Sequence, residues 1–262
     1  AGADVECIHS QLPPEHYFNT APRIMWQHGE PLSSVGNGVS MKAICDLSSK
    51  VDAFICMRRR EWPVWNTIKR TYLVPKGIDL EAYKPLEGIT EKLQGEPAIL
   101  YAENWRGTRN PLYACIAMQQ VYKRFPKARL YLYNCTDEKM KETFTTFLRT
   151  CKLWACGVVG IQGPVNDINL LYNRVDMVVS CLFPLYARSM ECFGAGKPLI
   201  CPGYDEPGYP FLCELDPQSI AEAIIDCWEK IETFDARAWA TEHHDVARTV
   251  EESVKVYERY AG

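Results

Sequence analysis

Residues 177–201 read MVVSCLFPLYARSMECFGAGKPLIC. Two short β-rich runs, MVVS (177–180) and PLIC (198–201), enclose a helical stretch that carries Arg188, Ser189 and Glu191. A strand, a helix and a second strand in close succession form the crossover unit of a parallel sheet, because parallel neighbours need a long return connection. The Gly-Lys pair at 196–197 raises the question of a phosphate loop. Such a loop needs a glycine five residues earlier and a Ser or Thr after the lysine to hold Mg²⁺, and those places hold Glu191 and Pro198. The stretch needs another explanation.

On either side the same alternation continues. From Glu96 onward the β-rich runs are AILYA (98–102), ARLYLY (128–133), GVVGI (157–161), MVVS and PLIC. Between them Met140, Phe144, Phe147, Leu148 and Cys151 fall at helical spacing, as do Ile220, Ile224, Cys227, Trp228 and Ile231. Asp216-Pro217 supplies the second of these helices with an N-cap and a preorganised first position. The pattern is that of a doubly wound α/β domain. Upstream, VECI (5–8), RIMWQ (23–27), DAFIC (52–56) and TYLV (71–74) are candidate strands of a smaller sheet with weaker helical signals. PKGIDLEAYKPLEGITEKLQGEP (75–97), rich in Pro, Gly and charge, reads as the linker. Val246, Val250, Val254, Tyr257 and Tyr260 approximate one helical face. The expected divisions are 1–80, a reduced first domain; 81–240, the main domain; and 241–262, a terminal helix able to pack back on the first domain.

A chain of 262 residues that is 47% apolar fills one large core or two modest ones, and its net charge of −4 argues against a nucleic-acid surface. The twelve cysteines are spread from Cys7 to Cys227 without a C-x-x-C pair, and several sit in apolar runs. That usage predicts buried, reduced thiols in a cytoplasmic protein, with neither a disulfide framework nor a zinc site. The sequence contains no apolar run long enough to span a membrane and no leader pattern, so a soluble protein is expected, with peripheral membrane contact left open. The absent initiator Met suggests a processed start.

The order of motifs resembles that of the retaining nucleotide-sugar glycosyltransferases of the GT-B fold, and of glycosyltransferase family 4 in particular, in a short form with a reduced N-terminal domain. LVPKGIDLEAYKP (73–85) resembles the interdomain signature of that family. AILYAENWRGTRNPLYACIAM (98–118) is similar to its strand, basic phosphate loop and helix. VNDINLLYNRVDMVVS (165–180) and MECFGAGKPLICP (190–202) resemble its later segments. The likeness covers about residues 70–260, and more loosely the preceding part. It implies two Rossmann-like parallel-sheet domains.

The resemblance also implies roles for residues. Glu191 matches the family's ribose-binding carboxylate, and a carboxylate accepting two hydroxyl bonds suits a vicinal diol. The donor diphosphate falls to Arg109, with Arg106 compensating for Asn104, which stands where the family has a basic residue; helix-opening amides around Arg188 and Ser189 add to it. The base falls to GIQGPV (160–165), through Gln162, Gly163 and Val165. In WQHGEP (26–31), His28 matches the family histidine that points toward the donor, and it is the candidate catalytic residue. Lys197 reads as a helix-end cation rather than a ligand. Phe183 and Pro184 occupy the start of a run in which the family carries a second Glu, so contacts to the transferred sugar must differ or catalysis is weakened. The Gly-rich loop expected before His28 is absent.

The activity implied is transfer of a sugar, with retention, from a nucleoside diphosphate to an unidentified acceptor in the interdomain cleft. A UDP- or GDP-sugar is the expected donor, with no cofactor and no metal, since the phosphate charge is met by basic groups and amides. The alternative is a degenerate module that binds nucleotide sugars without efficient transfer. A nicotinamide oxidoreductase shares the alternating architecture but requires a G-x-G-x-x-G opening that this chain lacks.

Overall fold

The computed structural model describes residues 5–9, 22–27, 41–105, 111–181, 187–204 and 206–261. The chain divides into two compact units, Ala1–Gly77 with His244–Gly262, and Ile78–His243. The breaks at 77/78 and 243/244 compare with 80/81 and 240/241 expected from the sequence, and the terminal segment belongs to the first unit.

In the first unit four strands, β1 (Glu6–His9), β2 (Arg23–Gln27), β3 (Ala53–Cys56) and β4 (Thr71–Leu73), form a parallel sheet in that order. Alternate side chains serve opposite faces. Met25, Phe54 and Cys56 pack with Ile44, Val51 and Trp65, drawing in the helices α1 (Met41–Ser49) and α2 (Trp62–Ile68). Ile24, Trp26 and Ile55 pack on the other side with Val74, Val256, Tyr257 and Tyr260 of the terminal helix, α9 (Val246–Ala261). That helix comes close because residue 77 is glycine: a Cβ there would lie 2.4 Å from the Cα of Val246. Thr249 then reaches the carbonyl of Pro75 at 2.8 Å.

The second unit holds β5 (Ala98–Tyr101), β6 (Arg129–Leu132), β7 (Val158–Ile161), β8 (Met177–Val179) and β9 (Leu199–Ile200), all parallel, in the order β7-β6-β5-β8-β9. The central strand AILY is buried at every position, as a strand covered on both faces must be, whereas the edge strand β7 is mostly half-exposed. The helices are α3 (Leu112–Arg124), α4 (Glu138–Thr150), α5 (Ile168–Asn173), α6 (Ala187–Gly194), α7 (Pro217–Glu229) and α8 (Ala236–His243). Aspartates cap four of them: Asp137, Asp167, Asp216 and Asp235 accept from the backbone N–H of Met140, Leu170, Ser219 and Ala238.

The stretch 75–97 is not a loose linker, because from Ile78 onward it belongs to the second unit. Ile78 joins the core of that unit at 3% exposure. Leu86 N–H donates to the Asn173 side chain at 2.9 Å, and Leu93 N–H donates to the carbonyl of Arg174 at 2.8 Å. Its Pro, Gly and charged residues make turns whose main chain is bonded by α5 and the turn after it, so composition alone misread a packed strap as a tether.

All twelve cysteines are free thiols, and seven of them are buried. Among the described residues, no helix is long and apolar enough to cross a membrane, and no group of three or more His, Cys, Asp or Glu is placed to hold a metal ion.

Candidate functional site

Strand order reverses between β5 and β8. The chain moves outward from β5 to β6 and β7, then returns to the other side of β5 as β8 and continues to β9. In open parallel sheets such a reversal leaves a crevice at the carboxyl ends of the strands, where ligands bind. The segments meeting there are Ala102–Trp105 after β5, Ser180 and Cys181 after β8, and the opening of α6.

The strand ends on one side are tied together by Asn134. It follows β6 in the left-handed region (φ 63°), which Asn tolerates better than most residues. Its side-chain amide donates to the carbonyl of Ala102 and accepts from Val165 N–H at 2.9 Å, and its own N–H donates to the carbonyl of Gly163 at 3.1 Å. One buried side chain thus joins the ends of β5 and β6 to the turn after β7. Trp105 closes the same corner, donating from Nε1 to the carbonyl of Tyr133 at 2.7 Å and packing edge-on against Phe144.

On the other side lies a carboxylate, Glu103, 6% exposed. Its Oε1 accepts from the hydroxyl of Ser180 at 3.2 Å and from that of Ser189, and the two hydroxyl oxygens are 3.4 Å apart. Ser180 is fully buried and Ser189 nearly so. The surrounding thiols are protonated. Burial pushes the Cys181 thiol up to about 12, with the charge of Glu103 adding to the effect. Burial likewise drives Cys192 and Cys201 upward, and Glu103 adds a smaller push to each.

Helix α6 carries ARSMECFG. Ser189, Met190, Cys192 and Phe193 are buried, whereas Glu191 is partly exposed. The GAGKP run after it ends the helix. Lys197 N–H donates to the carbonyl of Cys192 and Gly196 N–H to that of Phe193, both at 2.9 Å, the paired bonds of a Schellman ending, with Gly196 at φ +76°. Pro198 cannot prolong the helix and leads into β9. Gly194 is required for another reason, because a Cβ there would lie 2.4 Å from the carbonyl oxygen of Tyr83. The lysine belongs to this ending. Burial lowers the Lys197 ammonium, with the charge of Lys92 adding to it.

The residues expected from the sequence divide as follows. Ser189 and Glu191 on α6, and Gln162, Gly163 and Val165 after β7, lie at the carboxyl edge of one sheet. Ser189 turns its hydroxyl to Glu103. Within the turn after β7, Gln162 N–H donates to Leu132 and Val165 N–H to Asn134, and the carbonyls of Gln162 and Gly163 accept from Cys135 and Asn134. What projects from this turn is the exposed side chain of Gln162. Arg188 falls in the first turn of α6. His28, Arg106, Arg109, Phe183 and Pro184 lie outside the described residues. Glu103, Asn134 and Ser180 are additions from the structure. Each lies one or two residues past the end of an apolar strand, which was their one signal in the sequence.

No protein-family profile matches the sequence, and no curated protein matches it. Solved structures do resemble it. The HepE protein of Anabaena, solved with UDP and glucose, is 15% identical with a TM-score of 0.65, covering 91% of this chain and 72% of its own. Sucrose-phosphate synthase of Thermosynechococcus elongatus is 14% identical with a TM-score of 0.68, covering 94% and 69%. A glycosyltransferase of Rickettsia africae is 14% identical with a TM-score of 0.68, covering 98% and 77%. These likenesses show the fold: an α/β chain with Rossmann-like parallel sheets of the GT-B type.

Proposed function

We propose that the chain is a glycosyltransferase that moves a sugar, with retention, from a nucleoside diphosphate to an acceptor, in the manner of glycosyltransferase family 4. The observation that carries this reading is α6: it opens at the switch point of a five-stranded parallel sheet and carries Glu191, a half-buried carboxylate with its Oε2 buried. Of the proteins of similar fold, one is a glycosyltransferase and one a sucrose-phosphate synthase by name, and the HepE structure holds UDP and glucose.

In this reading the ribose hydroxyls donate to Glu191. The diphosphate meets the opening amides of α6 and the arginines 106 and 109, and Gln162 meets the base. When the bond from the anomeric carbon to the β-phosphate oxygen breaks, the electron pair leaves with the diphosphate. Fixed dipoles at a helix N-terminus stabilise that charge without reorganising. The acceptor oxygen forms the new bond on the same face of the sugar, and its proton goes to the departing phosphate. His28 is assigned to the donor side. We assign the protein to the cytoplasm and expect no nucleic-acid partner.

The test is donor-dependent product formation, including slow transfer to water, with UDP-, GDP- and ADP-sugars. Release of nucleoside diphosphate with one donor supports the reading; saturable donor binding without any release would favour a binding module.

A further inference from the structure

A carboxylate buried at the mouth of a site for a phosphorylated ligand is costly twice, once in lost hydration and once in like charge. Glu103 is 6% exposed, and its hydrogen bonds show what it holds. Its Oε1 gathers the hydroxyl of Ser180, directly after β8, and the hydroxyl of Ser189, in the first turn of α6, while its own backbone lies two residues past the end of β5. Three elements that diverge at the crevice are joined through one oxygen.

We propose that Glu103 is a positioning residue that fixes the rotational setting of α6, and through it the direction in which Glu191 meets the ribose. This deepens the nucleotide-sugar reading and rests on it. Residues two apart on an α-helix point about 200° away from each other. When Ser189 is drawn inward to Glu103, Glu191 is therefore turned to the opposite side, in keeping with 3% exposure at Ser189 and with a Glu191 that stays half-buried, its Oε2 covered. The far end of α6 is already held by the Schellman bonds and by the contact of Gly194 with Tyr83. A helix fixed at one end twists least when its first turn is fixed as well, and the remaining inward side chains are apolar or thiol, which set depth more than rotation. A carboxyl group suits the task, because its oxygen can accept two hydroxyl bonds at once.

The experiment is a double-mutant cycle read with UDP and GDP by calorimetry, joined to amide hydrogen exchange of the ligand-free protein. The variants are Glu191→Gln, Glu103→Ala, their combination, and Glu103→Gln, which keeps an acceptor oxygen. Glu191→Gln is expected to weaken nucleotide binding about tenfold in the parent and less than about twofold in the Glu103→Ala background, since a misdirected carboxylate has little left to lose. Exchange of the α6 amides should rise about tenfold or more in Glu103→Ala and less in Glu103→Gln, with α3 and α7 unchanged. If Glu103→Ala does not fold, Ser189→Ala removes the α6 end of the linkage alone and takes its place in the cycle. An equal loss from Glu191→Gln in both backgrounds, or unchanged α6 exchange, overturns the proposal. Should neither UDP nor GDP bind the parent protein, ADP takes their place in the cycle, and failure of all three brings down the nucleotide-sugar reading and the Glu191 half of the proposal together. The exchange measurement then decides the linkage by itself.

Discussion

Replacing Gly194 with alanine sets two magnitudes of opposite sign against each other. Gly194 is the last residue of α6, and on helix propensity alone the change stabilises by about 0.5–1 kcal/mol. The added Cβ, however, would lie 2.4 Å from the carbonyl oxygen of Tyr83 and 2.8 Å from its Cβ, where contacts under 3.0 Å do not persist. The strap or the helix must retreat by roughly 0.6 Å. Neither is loose at this point. Arg237 donates to the carbonyl of Gly194 at 2.6 Å, to that of Tyr83 at 3.2 Å and to that of Leu80 at 3.1 Å, so the intruding methyl strains a clamp that spans both partners. Overpacking costs about 1–3 kcal/mol, and weakening one charged hydrogen bond adds about 1 kcal/mol. The net expectation is a loss of about 1–3 kcal/mol, or a fall in melting temperature of about 2–12 °C. Thermal and urea unfolding followed by circular dichroism measure it, with Gly163→Ala as the control, since a Cβ there meets nothing within 4 Å. A Gly194→Ala protein that melts at or above the parent temperature would refute the packing account of the GAGKP run.

Asp216→Ala should cost about 1 kcal/mol by removing the acceptor for Ser219 N–H at the start of α7, while Asp216→Asn should cost less than half of that in the same unfolding assay. Cys7, Cys45 and Cys151 are exposed and should react readily with an aromatic disulfide reagent near pH 8, whereas Cys181, with its thiol pushed up to about 12 by burial, should react only after denaturant is added; fast loss of more than five thiols would contradict the burial pattern. Arg109→Ala should weaken nucleoside diphosphate binding far more than nucleoside binding and flatten its salt dependence, with uniform losses across both ligands pointing to folding instead.

The sheet of the second unit was legible because its physics is local. AILY has to be a covered central strand, since every side chain in it is apolar, and the helical stripes through Phe144 and Ile224 stand out because each follows a capping aspartate. The first sheet was legible at its strands for a similar reason: RIMWQ alternates between two cores. Its helices were less so, since MKAICDLSS carries no acidic residue in its first turn and no basic residue in its last. The strap at 75–97 was misread because composition reports on backbone freedom and not on the partners that remove it, and those partners, Asn173 and Arg237, are distant in sequence. Within the site, Glu191 could be found by its place before a helix ending. Glu103 could not be understood, because its meaning depends on two serines 77 and 86 residues away.

The central claim is that Glu191 holds the ribose of a nucleotide sugar. The most direct measurement is the affinity of parent and Glu191→Ala proteins for UDP-, GDP- and ADP-sugars, with circular dichroism confirming that both are folded. The account predicts saturable binding of one donor by the parent and a loss of about 1.5–3 kcal/mol, roughly 10- to 150-fold, in the variant. Saturable binding of none of the three by the parent, or equal affinity in parent and variant, would contradict it.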